Sequence, residues 1–278
     1  MSPLIEITDP RVFDPTIILI DVRAGANACE RYLQGHLPNA VLATLDDDLA
    51  VHPDDAANGG RHPLPSLEDF AATLTRWGIT PDSHVVVYDD KNAAMGGARL
   101  WWMLRSIGHT HVQVLNGGLK AATDEGVKLS TEEYQPIAAS VPYPIPDEYS
   151  NTANLEEVKE AAGADNRVVI DVREGARYLG QTEPLDLVAG HIPGAVNLFY
   201  SNSLSPDGKY LTSQALATLY KAAIGEFKPE DVIVHCGSGV TACHTLLGME
   251  YAGIKGPKLY VGSWSEWSRR DLPIATEV

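Results

Sequence analysis

One cysteine in this sequence stands where chemistry is expected. In Val232-Ile233-Val234-His235-Cys236-Gly237-Ser238-Gly239-Val240-Thr241-Ala242, an apolar β-branched run ends at Cys236, a loop with two glycines follows, and a helical pattern begins. Glycine tolerates the backbone turns that curl successive N–H groups toward one side, so residues Gly237, Ser238, Gly239, Val240 and Thr241 can form an anion nest. The helix that follows adds its unpaired N-terminal N–H groups and the positive end of its dipole. A thiol in such a cradle is favoured as the thiolate, the form that attacks electrophiles, and a persulfide anion on it would be held the same way. The plain alternative, an inert buried cysteine at a strand end, leaves the flanking glycines unexplained.

Two other chemistries use similar loops. A cysteine phosphatase clamps its phosphate with an arginine at the position held here by Ala242, and without a bidentate guanidinium phosphate recognition loses its main partner. A nucleotide-binding loop needs Gly-Lys-Ser or Gly-Lys-Thr, which the sequence lacks. No His, Cys, Asp or Glu spacing suggests a metal site. Cys243, two helical turns beyond Cys236, is expected to pack inward, with a resolving-thiol role as its alternative; Cys29 falls in a loop or helix start and shows no partner.

The elements that position Cys236 occur twice. Ile20-Asp21-Val22-Arg23 recurs as Ile170-Asp171-Val172-Arg173, and Gly35-His36-Leu37-Pro38-Asn39-Ala40-Val41 as Gly190-His191-Ile192-Pro193-Gly194-Ala195-Val196. Val85-Val86-Val87-Tyr88 matches Val232-Ile233-Val234-His235, and Leu115-Asn116-Gly117-Gly118 parallels Tyr260-Val261-Gly262-Ser263. Four matches in one order at nearly one offset indicate a tandem duplication. Pro136, Pro142, Pro144 and Pro146 mark an extended linker over 136–149, which places one domain at 1–135 and the other at 150–278. Strands are expected over 17–22, 85–88, 112–115, 168–172 and 232–234, and helices over 67–77, 94–107, 213–224 and 240–252. Apolar strands alternating with helices argue for an α/β fold with a parallel sheet covered on both faces, whose sites lie at the carboxyl ends of the strands.

His36 and His191 recur with the Gly-His-x-Pro turn, whereas only the second copy has a cysteine at the strand end, so both histidines read as structural. His235 is expected to pack at the strand end, and Trp264 and Trp267 read equally as pocket-lining or core residues. With 37 acidic against 21 basic side chains, the formal charge of −16 repels phosphate backbones and anionic lipids, so neither nucleic acid nor membrane is expected as a partner. No apolar run approaches the roughly 20 residues of a membrane helix. The N-terminus lacks the pattern of a secretory signal and three cysteines are too few for a disulfide framework, which together suggest a reducing, cytoplasmic setting.

On these motifs the chain resembles the tandem-domain rhodanese-type sulfurtransferases over nearly its whole length. Cys236-Gly237-Ser238-Gly239-Val240-Thr241 is similar to the 3-mercaptopyruvate sulfurtransferase branch, whereas the thiosulfate branch carries basic residues where this chain has Gly237 and Ser238. The motifs at 190–195 and 262–267 match as well. The resemblance implies two rhodanese-like domains, each a five-stranded parallel sheet with flanking helices. Only the second would be catalytic, since Asp89 stands in the first where Cys236 stands in the second. It implies further that Arg177 grips the substrate anion and that Ser238 relays a proton through His62 and Asp46. Where mercaptopyruvate enzymes often have a second arginine this chain has Asp186, which keeps thiosulfate open as donor; Arg61 or Arg99 are candidates to compensate. The implied reaction moves a sulfane sulfur from 3-mercaptopyruvate, through a Cys236 persulfide, to cyanide, a small thiol or a thioredoxin-type protein, with no cofactor. A reading of another class is a non-catalytic, sulfide-sensing or partner-binding module that uses the same cradle.

Overall fold

The computed structural model describes residues 1–277 and falls into two compact units. One comprises Met1–Ala50, Leu64–Ser150 and Pro206–Lys209, the other Val51–Pro63, Asn151–Ser205 and the described residues from Tyr210 onward. The loop 51–63, which lies in the first half of the sequence, therefore belongs structurally to the second unit.

Each unit is built on one five-stranded sheet. The first contains β1 (Leu4–Ile5), β2 (Ile17–Arg23), β3 (Val41–Thr44), β4 (His84–Asp89) and β5 (Val112–Leu115), in the order β1-β5-β4-β2-β3. The second contains β6 (Thr152–Ala153), β7 (Val168–Asp171), β8 (Val196–Asn197), β9 (Val232–His235) and β10 (Lys258–Tyr260), in the matching order β6-β10-β9-β7-β8. Every strand pairing within both sheets is parallel. Helices α1 (Ala28–Gln34), α2 (Leu45–Asp48), α3 (Leu67–Arg76), α4 (Gly96–Ser106) and α5 (Gly118–Asp124) belong to the first unit. Helices α6 (Leu155–Ala161), α7 (Gly175–Tyr178), α8 (Ser213–Ile224), α9 (Thr241–Tyr251) and α10 (Ser263–Trp267) belong to the second. The expected tandem α/β architecture is present, with strand and helix ends within about two residues of those read from the sequence pattern. Among the described residues no helix is long and apolar enough to cross a membrane.

The central strands are apolar throughout because both faces are covered: all four residues of β7 and of β9 are buried. The polar exceptions explain the repeated motifs. Asp171 and Arg173 are buried and paired, with Arg173 Nε 3.0 Å from both carboxylate oxygens, and Arg173 also donates to the carbonyl of Gly190 at 2.6 Å. Asp21, Arg23 and Gly35 repeat this arrangement in the first unit, at 2.6 Å and 3.0 Å. The Ile-Asp-Val-Arg motif thus ties the strand to the Gly-His-x-Pro turn through a fully hydrogen-bonded buried ion pair. The turn histidines are structural too. His36 Nδ1 bonds the Tyr32 carbonyl at 2.8 Å and its ring stacks on Tyr32 at 3.7 Å; His191 does the same with Tyr178 at the same two distances.

Trp264 and Trp267 are core residues, both essentially unexposed, with indole N–H groups donating to the carbonyls of Val188 and Pro273. On the other face of the second sheet, α9 buries His244 against the rings of Tyr210 and Tyr200. Burial alone lowers its pKa from 6.5 to about 3. The unfolded imidazole takes up a proton below pH 6.5 while the folded one refuses it, so stability falls as pH drops through that window. At pH 5 this one group is expected to cost about 2 kcal/mol. Thermal melting of the wild type and His244→Phe at pH 7.5 and pH 5 checks this: the variant should lose less stability on acidification.

Candidate active site

Cys236 directly follows β9 and is 4% exposed. Its surroundings fix the direction of the loop behind it. The N-terminal end of α10 uses two main-chain donors on that loop: Trp264 N–H bonds the carbonyl of Cys236 at 3.1 Å, and Ser265 N–H bonds that of Gly237 at 2.8 Å. In a trans peptide the C=O and the next N–H point opposite ways, and the described chain contains no cis bond. Tying those two carbonyls to α10 therefore turns the N–H groups of Gly237 and Ser238 to the opposite side. Gly239 then takes a left-handed φ of +73° and Val240 a right-handed conformation, an alternation that curls successive N–H groups inward. Only glycine fits at 239, since a Cβ there would lie 2.4 Å from the carbonyl oxygen of Val261. Val240 occupies the N-cap of α9 and offers no side-chain acceptor, so the first N–H groups of that helix lack a side-chain cap.

The cysteine's own amide is engaged elsewhere. Cys236 N–H donates to Ser263 Oγ at 3.2 Å, and that hydroxyl donates onward to the Tyr260 carbonyl at 2.8 Å. Ser263 does this from φ +53°, a conformation a side chain rarely adopts; the matching residue of the first unit, Gly118, has φ +58°. A strained non-glycine backbone beside Cys236 is of the kind that clusters at functional sites.

The first unit shows what such a loop attracts. Asp89, at the position matching Cys236, is buried and its carboxylate accepts from the N–H groups of Lys91, Ala93 and Gly97 at 2.8, 2.7 and 3.0 Å. Burial pushes its pKa up, and those three N–H groups draw it back. Here the main-chain donors before and at the start of α4 close on a carboxylate supplied by the chain itself.

The remaining groups come from the loop 51–63, from α7 and from the segment after it. Gly59 N–H donates to Glu266 at 3.0 Å and Arg61 N–H to Ser265 Oγ at 3.0 Å, while Val51 N–H closes the loop on the Pro63 carbonyl at 3.0 Å. So held, His62 places Nδ1 2.7 Å from Ser238 Oγ. Arg177 is gripped along one edge by Glu183, at 3.1 and 2.7 Å. Burial would raise the Glu183 pKa, but its hydrogen bonds with Arg177 hold it below the ordinary value. The side chain of Asp186 is fully buried and pairs with Arg61, Arg177 and Arg269 at 3.1, 3.4 and 2.9 Å.

Of the residues singled out from the sequence, the second unit brings together Cys236, Gly237, Ser238, Gly239, Val240, Thr241, His62 and Arg177. Asp46 lies in α2 of the first unit, where its carboxylate accepts from Gly25 N–H at 3.2 Å. Cys243 is fully buried with Sγ 3.4 Å from the Gly239 carbonyl, and His235 is buried beside Asp171 at 3.7 Å. Sequence reasoning missed Ser263 and Glu183. The repeat held the signal for the first, where Gly117-Gly118 becomes Gly262-Ser263. For Glu183 there was none beyond an acidic residue a few positions from Arg177.

Comparison with known proteins places the chain in a family. A family model described as "Rhodanese-like domain" matches residues 8–125 and again 154–270, so the chain belongs to the rhodanese-like domain family. It is 42% identical over 85% of its length to a "Putative thiosulfate sulfurtransferase SseB" of Mycobacterium tuberculosis, covering 81% of that protein. It is 35% identical over 96% of its length to a "Probable 3-mercaptopyruvate sulfurtransferase" of Pseudomonas aeruginosa, covering 94% of that chain. Among solved structures, a "3-mercaptopyruvate sulfurtransferase from Leishmania major" superposes with a TM-score of 0.80 at 29% identity, over 96% of this chain and 75% of that one.

The Gly239 contact yields a test. Gly239→Ala should lower thermal stability by about 2 kcal/mol and slow alkylation of Cys236 by iodoacetamide at least tenfold. Gly253, also left-handed at φ +84° but with open space where a Cβ would stand, is the control: Gly253→Ala should leave the alkylation rate unchanged. Melting curves and timed alkylation followed by mass spectrometry read both.

Proposed function

We propose that the protein transfers a sulfane sulfur from 3-mercaptopyruvate to a thiol or cyanide acceptor through a persulfide on Cys236. The observation that carries the choice of donor is the 2.7 Å hydrogen bond between Ser238 and His62 beside the cysteine loop. A thiol donor brings a proton that must move during the reaction, and a serine–imidazole pair is suited to move it.

In the first step the Cys236 thiolate attacks the donor sulfur. The new S–S bond forms as the C–S bond breaks, and the electron pair passes into the carbonyl system so that pyruvate leaves as its enolate. Ser238 and His62 take the thiol proton and return it to the leaving group; Asp46 keeps the part in that relay which the resemblance gives it. Arg177 holds the donor carboxylate with the edge not taken by Glu183. The main-chain N–H groups of residues 237–241 stabilise the terminal sulfur anion, an electrostatic role like that of an oxyanion hole. In the second step an acceptor thiolate, cyanide or a reduced thioredoxin-type protein attacks the outer sulfur and the Cys236 thiolate leaves, completing a two-step covalent cycle. A protein that receives and passes on sulfur in this way fits a reducing, cytoplasmic setting.

A second donor is favoured by one observation, the "Putative thiosulfate sulfurtransferase" name of the relative at 42% identity. Thiosulfate would load the same cysteine with sulfite as leaving group and no thiol proton to move. The two donors separate in one experiment. His62→Gln should slow turnover of mercaptopyruvate about 100-fold and that of thiosulfate less than about tenfold. Equal losses with both donors would contradict the relay. Arg177→Ala should raise KM for mercaptopyruvate steeply, and unchanged kinetics would contradict its role.

A further inference from the structure

Four arginines surround the loop after Cys236 in the second unit, and the structure sorts them into two kinds. Arg173 is 1% exposed; it donates to Asp171, Glu183 and the Gly190 carbonyl and lies over the Trp264 ring at 4.6 Å. Arg269 donates to Asp186 and to the Ser265 carbonyl, at 2.9 and 2.8 Å. Both are consumed in holding the fold. Arg177 and Arg61 differ. Each turns terminal nitrogens toward Gly237, the residue that follows Cys236. A carbon added at Gly237 would meet a terminal nitrogen of Arg61 at 3.2 Å and the two of Arg177 at 3.5 and 3.7 Å.

Two guanidinium groups thus converge on one glycine, where even a single added carbon would press on Arg61. Their backs are held by carboxylates: Glu183 along one edge of Arg177, Asp186 on Arg61 Nε at 3.1 Å. A buried carboxylate shared among three arginines fixes their planes while leaving them donors to spare, since each guanidinium carries five N–H groups.

We infer that Arg61 is a second anion-binding residue of the donor site, aimed by Asp186, and that it acts with Arg177 on the carboxylate and adjacent carbonyl of an α-keto acid donor. This rests on the sulfurtransferase reading above. Asp186 is a positioning residue: it touches the arginines and not the donor. The loop 51–63 then delivers two adjacent functional groups, His62 for the proton and Arg61 for the charge.

The test uses the full-length enzyme, with Arg61→Gln, Arg61→Lys and Asp186→Asn, and two readouts. The first is steady-state kinetics with 3-mercaptopyruvate. Loss of a charge-assisted contact made equally in ground and transition states raises KM and spares kcat. Arg61→Gln should raise KM about tenfold or more with kcat within about threefold, Arg61→Lys should recover part of the loss, and Asp186→Asn should shift KM the same way by less. The second needs no turnover: the ratio of Cys236 alkylation rates with iodoacetate and iodoacetamide, which differ in charge and little in size. That ratio should fall several-fold in Arg61→Gln. A wild-type KM together with a wild-type ratio in Arg61→Gln would overturn the inference, as would a loss confined to kcat. If the wild type takes sulfur from neither mercaptopyruvate nor thiosulfate while the ratio still falls in Arg61→Gln, the anion site stands and the sulfurtransferase reading fails.

Discussion

The site depends on two carbonyl groups. Those of Cys236 and Gly237 are drawn to the N-terminal end of α10 by Trp264 and Ser265, and the planarity of the peptide bond then turns the N–H groups of Gly237 and Ser238 the other way. The left-handed turn at Gly239 and the start of α9 continue that orientation. A set of main-chain dipoles is thereby fixed before any ligand arrives, and no reorganisation is needed when negative charge develops on sulfur. Much of the second unit serves this arrangement: β7 pairs with β9 and is tied to the Gly-His-x-Pro turn by the buried Asp171–Arg173 pair, and Trp264, whose main-chain N–H holds the first carbonyl, is itself packed under Arg173.

The duplication supplies an internal comparison. In the first unit the same strand-loop-helix closes on Asp89, whose carboxylate takes three main-chain N–H groups. In the second, the residue at that position is a cysteine, and a polarizable sulfur stands where a fixed anion stood. One loop closes on its own carboxylate and the other presents a thiol at the same position, the difference that the proposed persulfide chemistry requires. It also gives the backbone at 263 a purpose: a serine in a conformation better suited to glycine holds the Cys236 amide, a contact that Gly118 cannot make for Asp89.

Much of this was legible in the sequence, and the reasons are physical. Parallel strands covered on both faces must be apolar, so the strands at 168–172 and 232–234 could be read from composition, and the repeat matched them with 17–22 and 85–88. The cysteine loop could be read because its glycines have few other uses. His62 was placed by resemblance, and the hydrogen bond to Ser238 depends on a loop from the first half of the sequence folding with the second unit. No local pattern encodes that. The role of Asp186 was similarly hidden. From the sequence it is a negative charge where a positive one was expected, whereas in the structure it is the buried hub of three arginines, one of which, Arg61, is far away along the chain. Trp264 and Trp267 were ambiguous because a pocket wall and a core anchor have the same composition, and burial decides for the core.

The central claim is that one sulfur atom rests on Cys236 between donor and acceptor. Intact-mass spectrometry of the wild type and of Cys236→Ser, after brief mixing with 3-mercaptopyruvate and removal of excess donor, tests it most directly. The account predicts a gain of one sulfur in the wild type, mapped to the peptide containing Cys236, discharged by cyanide or a thiol, and missing from the variant. A wild-type mass that never changes, or a sulfur that lands on Cys29 or Cys243 instead, would contradict it.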